Sequence, residues 1–248
     1  MAGGEKVIEI RQLENTTDFA GAVELQKKIW GFQDIELLPV RLFVVANKVG
    51  GHTFGAYDDG RMIGFCLAIP GLKPGAKSYL HSHMLGVLPE YHNLGVGRML
   101  KLRQREDALA RGIDLVEWTF DPLEVKNAYF NMERLGAIVR RYVENQYGTT
   151  SSHLHGGLPT DRCTAEWWVA SDRVKTVLAG QPPDRSAIED RIEVPADIAE
   201  IRKQEPRRAR EIQQAIGEKF QRCFDQGLVV LAFERTPEYG AYLLGRMA

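Results

Sequence analysis

The residues with the most distinctive chemistry form a short turn, His92–Arg98, which holds two glycines two positions apart. An apolar run that ends at Pro89 indicates a buried strand, and apolar residues after Gly95 repeat near the 3.6-residue period of a helix. The first N–H groups of a helix lack internal partners and lie at the positive end of its dipole. Glycines at positions 95 and 97 let a ligand approach the main chain without meeting a Cβ atom. The turn therefore predicts an anion site that would fit a diphosphate.

Two common phosphate-binding patterns do not describe this turn. A Walker A loop needs Gly-x-x-x-x-Gly-Lys-Ser/Thr, and a dinucleotide fingerprint needs a third glycine and an acidic residue about 20 positions later. Neither pattern is complete in the sequence. On glycine spacing alone, a tight packing turn between a strand and a helix is an equal alternative.

The segment His92-Asn93-Leu94-Gly95-Val96-Gly97 resembles the coenzyme A signature of the GNAT superfamily of acyltransferases, Arg/Gln-x-x-Gly-x-Gly/Ala. His92 departs from the usual Arg or Gln. A second segment is similar to the family's next motif. It consists of a strand, Leu115–Phe120, then Asp121-Pro122, and then a helix that carries Asn127 and ends at Leu135-Gly136-Ala137. The two segments cover about residues 77–148, and their order and spacing carry the resemblance.

The resemblance implies an α/β fold of the α+β kind, with a mixed, mostly antiparallel central sheet flanked by helices. Local patterns agree with it, because two apolar runs joined by Asp58–Arg61 predict a β-hairpin with a tight Asp-Gly turn. The stretch Gly180–Asp184, which holds two prolines, predicts a domain boundary. We therefore expect a GNAT-like catalytic domain over residues 1–180 and a small C-terminal αβ appendage over residues 181–248.

The resemblance also implies that the ligand is acetyl-CoA or another acyl-CoA, bound as a co-substrate. In the family, exposed backbone groups at the end of one strand pair with the pantetheine amides, which points to Leu85, Gly86 and Val87. The N–H groups of the following turn would bind the diphosphate. The candidate residues of the turn are His92, Asn93, Leu94, Gly95, Val96, Gly97 and Arg98. Farther along the chain, the Asn127 amide is expected to reach the pantetheine arm.

An attacking amine must lose a proton, so an acyltransferase needs a base, and a histidine that titrates near neutrality suits this role. His81 and His83 are the first candidates, because some family members carry their base on the equivalent strand. Strand alternation predicts that both lie on the same side as Leu85. Core or surface packing is an equal alternative for each histidine, and Glu117 on the next strand is the second choice as base. Met132 occupies the position where many members have a tyrosine that protonates the departing thiolate. The alternatives are Tyr129 or Tyr142 as the acid, or departure of the thiolate without a proton, since its conjugate thiol is fairly acidic.

In the resembled family, the loop between the first two helices helps to form the acceptor pocket. Trp30 and Glu36 are therefore candidate acceptor contacts, although core packing is the stronger interpretation of Trp30. A later pair, Asp161 and Arg162, adjoins a predicted strand and is also a candidate for acceptor binding. A structural turn held by this charged pair is at least as strong an interpretation. Asp121 is predicted to cap the helix that follows it.

The resemblance implies an N-acyltransferase that moves an acetyl or similar acyl group from acyl-CoA to an amine. The acceptor would be a small molecule or amino acid, which attacks the thioester directly in a ternary complex. An N-succinyltransferase of amino acids is a close variant. A different class of function, a non-catalytic acyl-CoA-binding sensor, is favoured by the unusual His92 and by the missing tyrosine at Met132.

Composition and charge limit the classes of partner that the sequence predicts. Its 248 residues are 44% apolar with a formal net charge of −1, which gives no reason to expect nucleic acid or an acidic membrane as partner. The absence of any run of about 20 apolar residues and of a signal-like N-terminus favours a cytoplasmic protein. Three separated cysteines predict packed, reduced thiols. We expect no metal, since His153 and His155 lack further ligands nearby, and a homodimer is compatible with the sequence.

Overall fold

The structure is a computed structural model and describes residues 7–148 and 157–247. The chain divides between Val116 and Glu117 into two compact units. Each unit is built from antiparallel strand pairs and flanking helices. This architecture confirms the mixed, mostly antiparallel α/β fold class that the sequence predicts.

The described residues of unit 1, 7–116, contain four complete strands and three helices. The strands are β1 (Ile8–Gln12), β2 (His52–Asp58), β3 (Arg61–Lys73) and β4 (Lys77–Val87), and the helices are α1 (Thr16–Trp30), α2 (Val40–Lys48) and α3 (Val96–Ala110). The strands lie in the order β1-β2-β3-β4, and each neighbouring pair is antiparallel. Asp59 and Gly60 take positive φ angles of 48° and 75° between β2 and β3, which confirms the predicted tight hairpin.

Helices cover both faces of the unit 1 sheet, because neighbouring residues of β4 point in opposite directions. A Cβ atom at Gly86 would lie 2.6 Å from the Trp30 ring of α1. In contrast, a Cβ atom at Gly97 of α3 would lie 3.6 Å from the Leu85 side chain. Helices α1 and α3 therefore pack on opposite faces, and their apolar sides bury the core of the unit.

Unit 2 begins within β5 (Leu115–Phe120), which crosses the boundary between the units. Its other elements are α4 (Val125–Tyr129), β6 (Ile138–Val143), β7 (Arg162–Trp168), α5 (Asp172–Leu178), β8 (Ile188–Pro195), α6 (Ile198–Gln204), α7 (Pro206–Asp225), β9 (Val229–Arg235) and β10 (Tyr239–Gly245). Its strands lie in the order β5-β7-β6-β9-β10-β8. A single π-helical turn, Phe130–Arg134, directly follows α4, and such turns are frequent at functional sites. In the described ranges, none of the helices combines the length and the apolar content needed to cross a membrane.

Residues 181–247 form the predicted αβ segment, in which α7 begins at Pro206 and β9 and β10 follow it. The segment adds to a sheet that earlier residues have started, because Val230 of β9 pairs with Val139 of β6. Phe220 of α7 also stacks on Tyr142 of β6, with 5.4 Å between ring centroids. Residues 181–247 thus share the sheet and core of unit 2, while a domain boundary near residue 180 stays a prediction.

Candidate active site

The glycine turn connects β4 to α3 through a backbone with two left-handed residues. A short 3-10 turn, Pro89–Tyr91, follows the strand, and α3 begins at Val96. Asn93 and Gly95 have positive φ angles of 65° and 79°, in the left-handed region that Gly and Asn adopt most readily. Gly95 occupies the N-cap of α3, and no side chain among the described residues caps that helix end. The N–H groups of Val96 and Gly97, at the start of α3, lack partners within the helix and can bind water or a ligand.

The two glycines serve different purposes in this turn. Gly95 needs its backbone freedom, because an L side chain is strained at a φ angle of 79°. A Cβ atom at Gly95 would meet nothing in the described structure within 4 Å, so a side chain there would project into open space beside the turn. Gly97 lies in the first turn of α3, and a Cβ atom there would make an ordinary contact with Leu85. A side chain at position 95 would thus meet no steric obstacle among the described residues, although the left-handed backbone would be strained.

His92, which departs from the family signature, holds the end of β4. Its Nε2 atom lies 2.9 Å from the carbonyl oxygen of Val87. A carbonyl oxygen only accepts, so Nε2 carries the proton and donates this hydrogen bond. The imidazole thereby links the last residue of the strand to the start of the turn.

Gly86 allows α1 to approach β4 closely. A Cβ atom at Gly86 would lie 2.6 Å from Trp30 and 2.9 Å from Ile29, closer than real Cβ contacts. Trp30 stacks on Phe32 at 5.6 Å and meets Phe65 edge-on at 6.0 Å, measured between ring centroids. Trp30 therefore packs as a core residue of unit 1, which is the stronger of the two interpretations that its sequence position allows.

His81 and His83 lie together on β4, with 5.8 Å between their ring centroids. The pairing of β4 with β3 shifts register between Leu67 and Ala68, and the shift leaves His83 as an extra residue on β4. Burial around the ring lowers the pKa of His83, although its side chain keeps an exposed surface. His83 is therefore a neutral imidazole at neutral pH, the form that can accept a proton.

The register shift changes which β4 side chains share a face. Ser82 donates to Gln104 of α3 at 3.0 Å, and Leu85 faces Gly97 of the same helix. His81, the neighbour of Ser82, consequently points to the opposite face. The expectation that His81 shares a face with Leu85 is wrong, because regular alternation does not continue through a β-bulge.

A chain of buried polar side chains joins α3 to the sheet. Lys101 Nζ donates to Ser82 Oγ at 2.9 Å, and Ser82 Oγ donates to Gln104 Oε1 at 3.0 Å. Gln104 Nε2 lies 3.1 Å from His52 Nε2, and His52 Nδ1 lies 2.8 Å from Asp107 Oδ2. Burial lowers the pKa of Lys101 to about 7. Helical spacing alone did not reveal this network, because Ser82 and His52 become neighbours of α3 only through the sheet register.

In unit 2, the candidate base Glu117 is already paired. Its Oε1 atom accepts from Arg141 Nη2 at 2.6 Å, and its side chain is buried. Asn127 lies exposed on α4, where its amide is accessible. Met132 is buried in the π-helical turn, so an apolar core residue occupies the position of the family's usual tyrosine.

Asp161 and Arg162 lie at the start of β7 and differ in their surroundings. Asp161 is buried, and its carboxylate accepts from the Tyr142 hydroxyl and from the Asn145 N–H at 2.9 Å. These bonds are those of a structural turn. Arg162 is half-buried and donates to the Asp161 carbonyl at 3.0 Å, and its guanidinium lies 5.4 Å from the Tyr147 ring centroid. Burial lowers the pKa of Arg162.

The remaining candidates are Glu36 and the two loop histidines. Glu36 is half-buried at the end of a 3-10 turn, Asp34–Glu36, between α1 and α2. His153 and His155 lie outside the described residues. Within residues 7–148 and 157–247, no group of three or more His, Cys, Asp or Glu side chains is arranged to hold a metal ion.

Comparison with known proteins agrees with the geometry of the turn. The sequence model of the acetyltransferase (GNAT) family matches residues 10–136, just over half of the 248 residues. The match includes β4, the glycine turn, α3, α4 and the π-helical turn. No protein of curated function matches the chain in sequence.

Solved structures share the fold at low sequence identity. The ribosomal-protein-S18-alanine N-acetyltransferase of Escherichia coli has a TM-score of 0.52 at 19% identity, over 66% of this chain and 96% of that chain. The Salmonella typhimurium protein yncA, solved with its cofactor acetyl-CoA, has a TM-score of 0.53 at 15% identity, over 66% and 95%. Arabidopsis thaliana Naa50, solved with the bisubstrate analogue CoA-Ac-MVNAL, has a TM-score of 0.50 at 13% identity, over 64% and 97%. With this fold and this sequence match, the chain belongs to the GNAT family, whose members are acetyltransferases.

Proposed function

We propose that this protein transfers an acetyl group from acetyl-CoA to the amine of a small molecule or amino acid. The observation that carries the proposal is the turn from Asn93 to Gly97. It lies inside the family match, and its Gly95 N-cap, without a side-chain cap, presents the N–H groups of Val96 and Gly97 to an anion. A diphosphate bound there would gain several charge-assisted hydrogen bonds from the main chain.

We assign donor binding to three stretches of the chain. The backbone of Leu85, Gly86 and Val87 would pair with the pantetheine amides, and the turn residues His92–Arg98 would hold the diphosphate. Asn127 would bind the pantetheine arm through its exposed amide. These contacts would orient the thioester before the acceptor arrives, which lowers the entropic part of the barrier.

His83 is our first choice as the general base. Its lowered pKa keeps the imidazole neutral near pH 7, and His81 lies beside it on β4. The base takes a proton from the acceptor ammonium, and the free amine attacks the thioester carbonyl carbon. The tetrahedral intermediate loses its second N–H proton to solvent and collapses to the amide, and coenzyme A leaves with the electron pair of the C–S bond. Met132 supplies no proton, so the thiolate departs unprotonated, which its fairly acidic conjugate thiol permits.

The burial of the cysteines supports direct attack rather than an acyl-enzyme. Cys66, Cys163 and Cys223 are all buried. Burial raises the pKa of the Cys66 thiol to about 12 and also raises the pKa of Cys163. A cysteine attacks as the thiolate, a form that these raised pKa values disfavour.

Glu36 and Arg162 are our candidates for contact with the acceptor. A carboxylate suits an ammonium group and a guanidinium suits a carboxylate, the two charged groups of an amino acid. Trp30 and Asp161 are engaged in packing and in a turn, and nothing in their surroundings supports a contact with the acceptor. The half-buried Arg162 would also suit the free carboxylate of a succinyl group, which keeps N-succinyl transfer as the alternative.

The release of the coenzyme A thiol in the presence of amine and amino acid acceptors tests the proposal. We expect acceptor-dependent release from acetyl-CoA and little from succinyl-CoA. A preference for succinyl-CoA would select the alternative donor. Tight binding of acetyl-CoA without any acceptor-dependent release would favour a non-catalytic sensor and contradict the proposal.

A further inference from the structure

Arg202 of α6 is a buried cation that holds the segment after β5. Its Nη2 atom donates to Asp121 Oδ2 at 2.7 Å, and its Nη1 atom donates to Glu124 Oε1 at 3.0 Å. Only 5% of the Arg202 side chain and 10% of the Asp121 side chain are exposed. One guanidinium therefore bridges both ends of the turn that leads into α4.

Asp121 organises the same turn from the inside. Its second carboxylate oxygen, Oδ1, accepts the Leu123 N–H at 2.8 Å. Its carbonyl accepts the Glu124 N–H at 3.0 Å, and the Glu124 carbonyl then accepts the Ala128 N–H at 2.9 Å in the first turn of α4. The prediction that Asp121 caps the helix is wrong, because α4 begins only at Val125 and its N-cap is Glu124, with no side-chain cap bond. Asp121 instead uses one carboxylate oxygen for the turn before the helix, and Arg202 takes the other. The position of Arg202 consequently fixes where α4 begins.

Residues 181–247 hold this segment at further points. The Tyr242 hydroxyl of β10 donates to the Pro122 carbonyl at 2.6 Å. The Phe233 N–H of β9 donates to Glu133 Oε1 at 2.8 Å, and Arg185 pairs with Glu133 Oε2 at 3.2 Å. The C-terminal segment therefore contacts the chain before α4 and the π-helical turn after it.

A buried ion pair is a weak source of stability, because the cost of desolvating both charges offsets their attraction. The Arg202 guanidinium contributes orientation instead, because its planar arrangement of donors binds the two carboxylates in fixed directions. We propose that Arg202 is a positioning residue for acetyl transfer, which holds α4 so that Asn127 can bind the pantetheine arm. This inference rests on the proposed function, which assigns Asn127 to the donor. The C-terminal segment is then part of the enzyme's donor-binding machinery rather than a separate module.

The substitution Arg202→Lys keeps the positive charge but loses the planar fork. We expect it to weaken acetyl-CoA binding about tenfold, the contribution of one hydrogen bond from Asn127. Binding of adenosine 3′-phosphate 5′-diphosphate, which keeps the diphosphate but lacks the pantetheine arm, should stay at the parent value. Arg208→Lys is the matched control, because Arg208 forms an exposed pair with Glu205, and it should change neither affinity.

A double-mutant cycle with Asn127→Ala tests whether Arg202 acts through that residue. In the Asn127→Ala background, Arg202→Lys should cost no further affinity for acetyl-CoA. A further loss there, an equal loss for both ligands, or unchanged acetyl-CoA binding by Arg202→Lys would each overturn the inference.

Failure of the variant to fold and failure of the parent protein to bind acetyl-CoA lead to different conclusions. If Arg202→Lys does not fold, Tyr242→Phe takes its place, because it removes a donor to Pro122 without removing a buried charge, and the same expectations apply. If the parent protein does not bind acetyl-CoA, the proposed function itself is overturned and this inference falls with it.

Discussion

At the scale of single residues, the candidate base differs from an ordinary strand histidine. His83 is the extra residue at the register shift of β4, and the protein around its ring lowers its pKa. The imidazole therefore loses its proton at a lower pH than an ordinary histidine does. His81 lies on the same strand with its ring 5.8 Å away, which makes it the natural comparison for His83.

The pH profile of kcat tests this assignment. A base acts only when it is deprotonated, so kcat should rise with pH with a midpoint below 6.5, the ordinary pKa of histidine. His83→Ala should abolish this rise of kcat with pH and lower kcat at neutral pH by about 10²–10⁴-fold. The control His81→Ala should retain the rise. Full kcat and an unchanged pH profile in His83→Ala would assign the proton transfer to another group.

At the scale of elements, α3 follows the turn that we propose for the diphosphate and carries a buried polar network farther along. Lys101, Gln104 and Asp107 reach from the helix towards Ser82 of β4 and His52 of β2. Such a network costs desolvation but admits only one register between helix and sheet. The largest of these costs falls on the Lys101 amine, whose pKa burial lowers from 10.5 to about 7.

Lys101→Met should therefore be more stable than the parent near neutral and mildly acidic pH, by about 1–4 kcal/mol. The folded state binds this proton less tightly than the unfolded chain does. The parent should gain stability as pH rises from about 7 towards 10.5, so the advantage of Lys101→Met should shrink over that range. Urea unfolding at several pH values measures this difference, with Lys48→Met, an exposed lysine of α2, as control. Parallel stability curves for the parent and Lys101→Met would refute the prediction.

The sequence predicted local elements better than their mutual arrangement. The strand, the turn and the helix around Gly95 follow from apolar spacing and glycine, which are local signals. The register shift at His83 and the contact of Ser82 with Gln104 depend on how β4 pairs with β3. No short sequence pattern encodes that pairing, so the face assigned to His81 was wrong and the buried network was not foreseen.

At the scale of the whole molecule, residues 181–247 complete unit 2. Strand β9 pairs with β6, and α6, β9 and β10 all bond to the segment that follows β5. The Gly- and Pro-rich stretch Gly180–Asp184 predicted a boundary, but a linker between domains and a loop within one unit have the same composition. The distinction lies in long-range contacts, such as that of Arg202 with Asp121, which the sequence does not display.

A chain that ends at Gly180 should consequently fail to fold unit 2. It exposes the edge of β6 and leaves the Asp121 carboxylate without its Arg202 partner. Thermal unfolding followed by circular dichroism should show no cooperative transition for this unit. A chain that ends at Gly245, the last residue of β10, is the control and should unfold as the parent does. Cooperative unfolding and parent-like acetyl-CoA binding by the shorter chain would support the predicted separate appendage instead.

The central claim is that the turn before α3 binds the diphosphate of an acyl-CoA, and calorimetric titration with acetyl-CoA, succinyl-CoA and free CoA tests it most directly. Gly95→Glu places a carboxylate beside the turn at a φ angle of 79°. Gly75→Glu, between β3 and β4, is matched to it, because its φ angle is 80° and its Cβ atom also meets nothing described within 4 Å. We expect the parent and Gly75→Glu to bind, and Gly95→Glu to bind at least about a hundredfold more weakly. Equal binding by the two variants, or no binding of any of the three ligands to the parent, would contradict the claim.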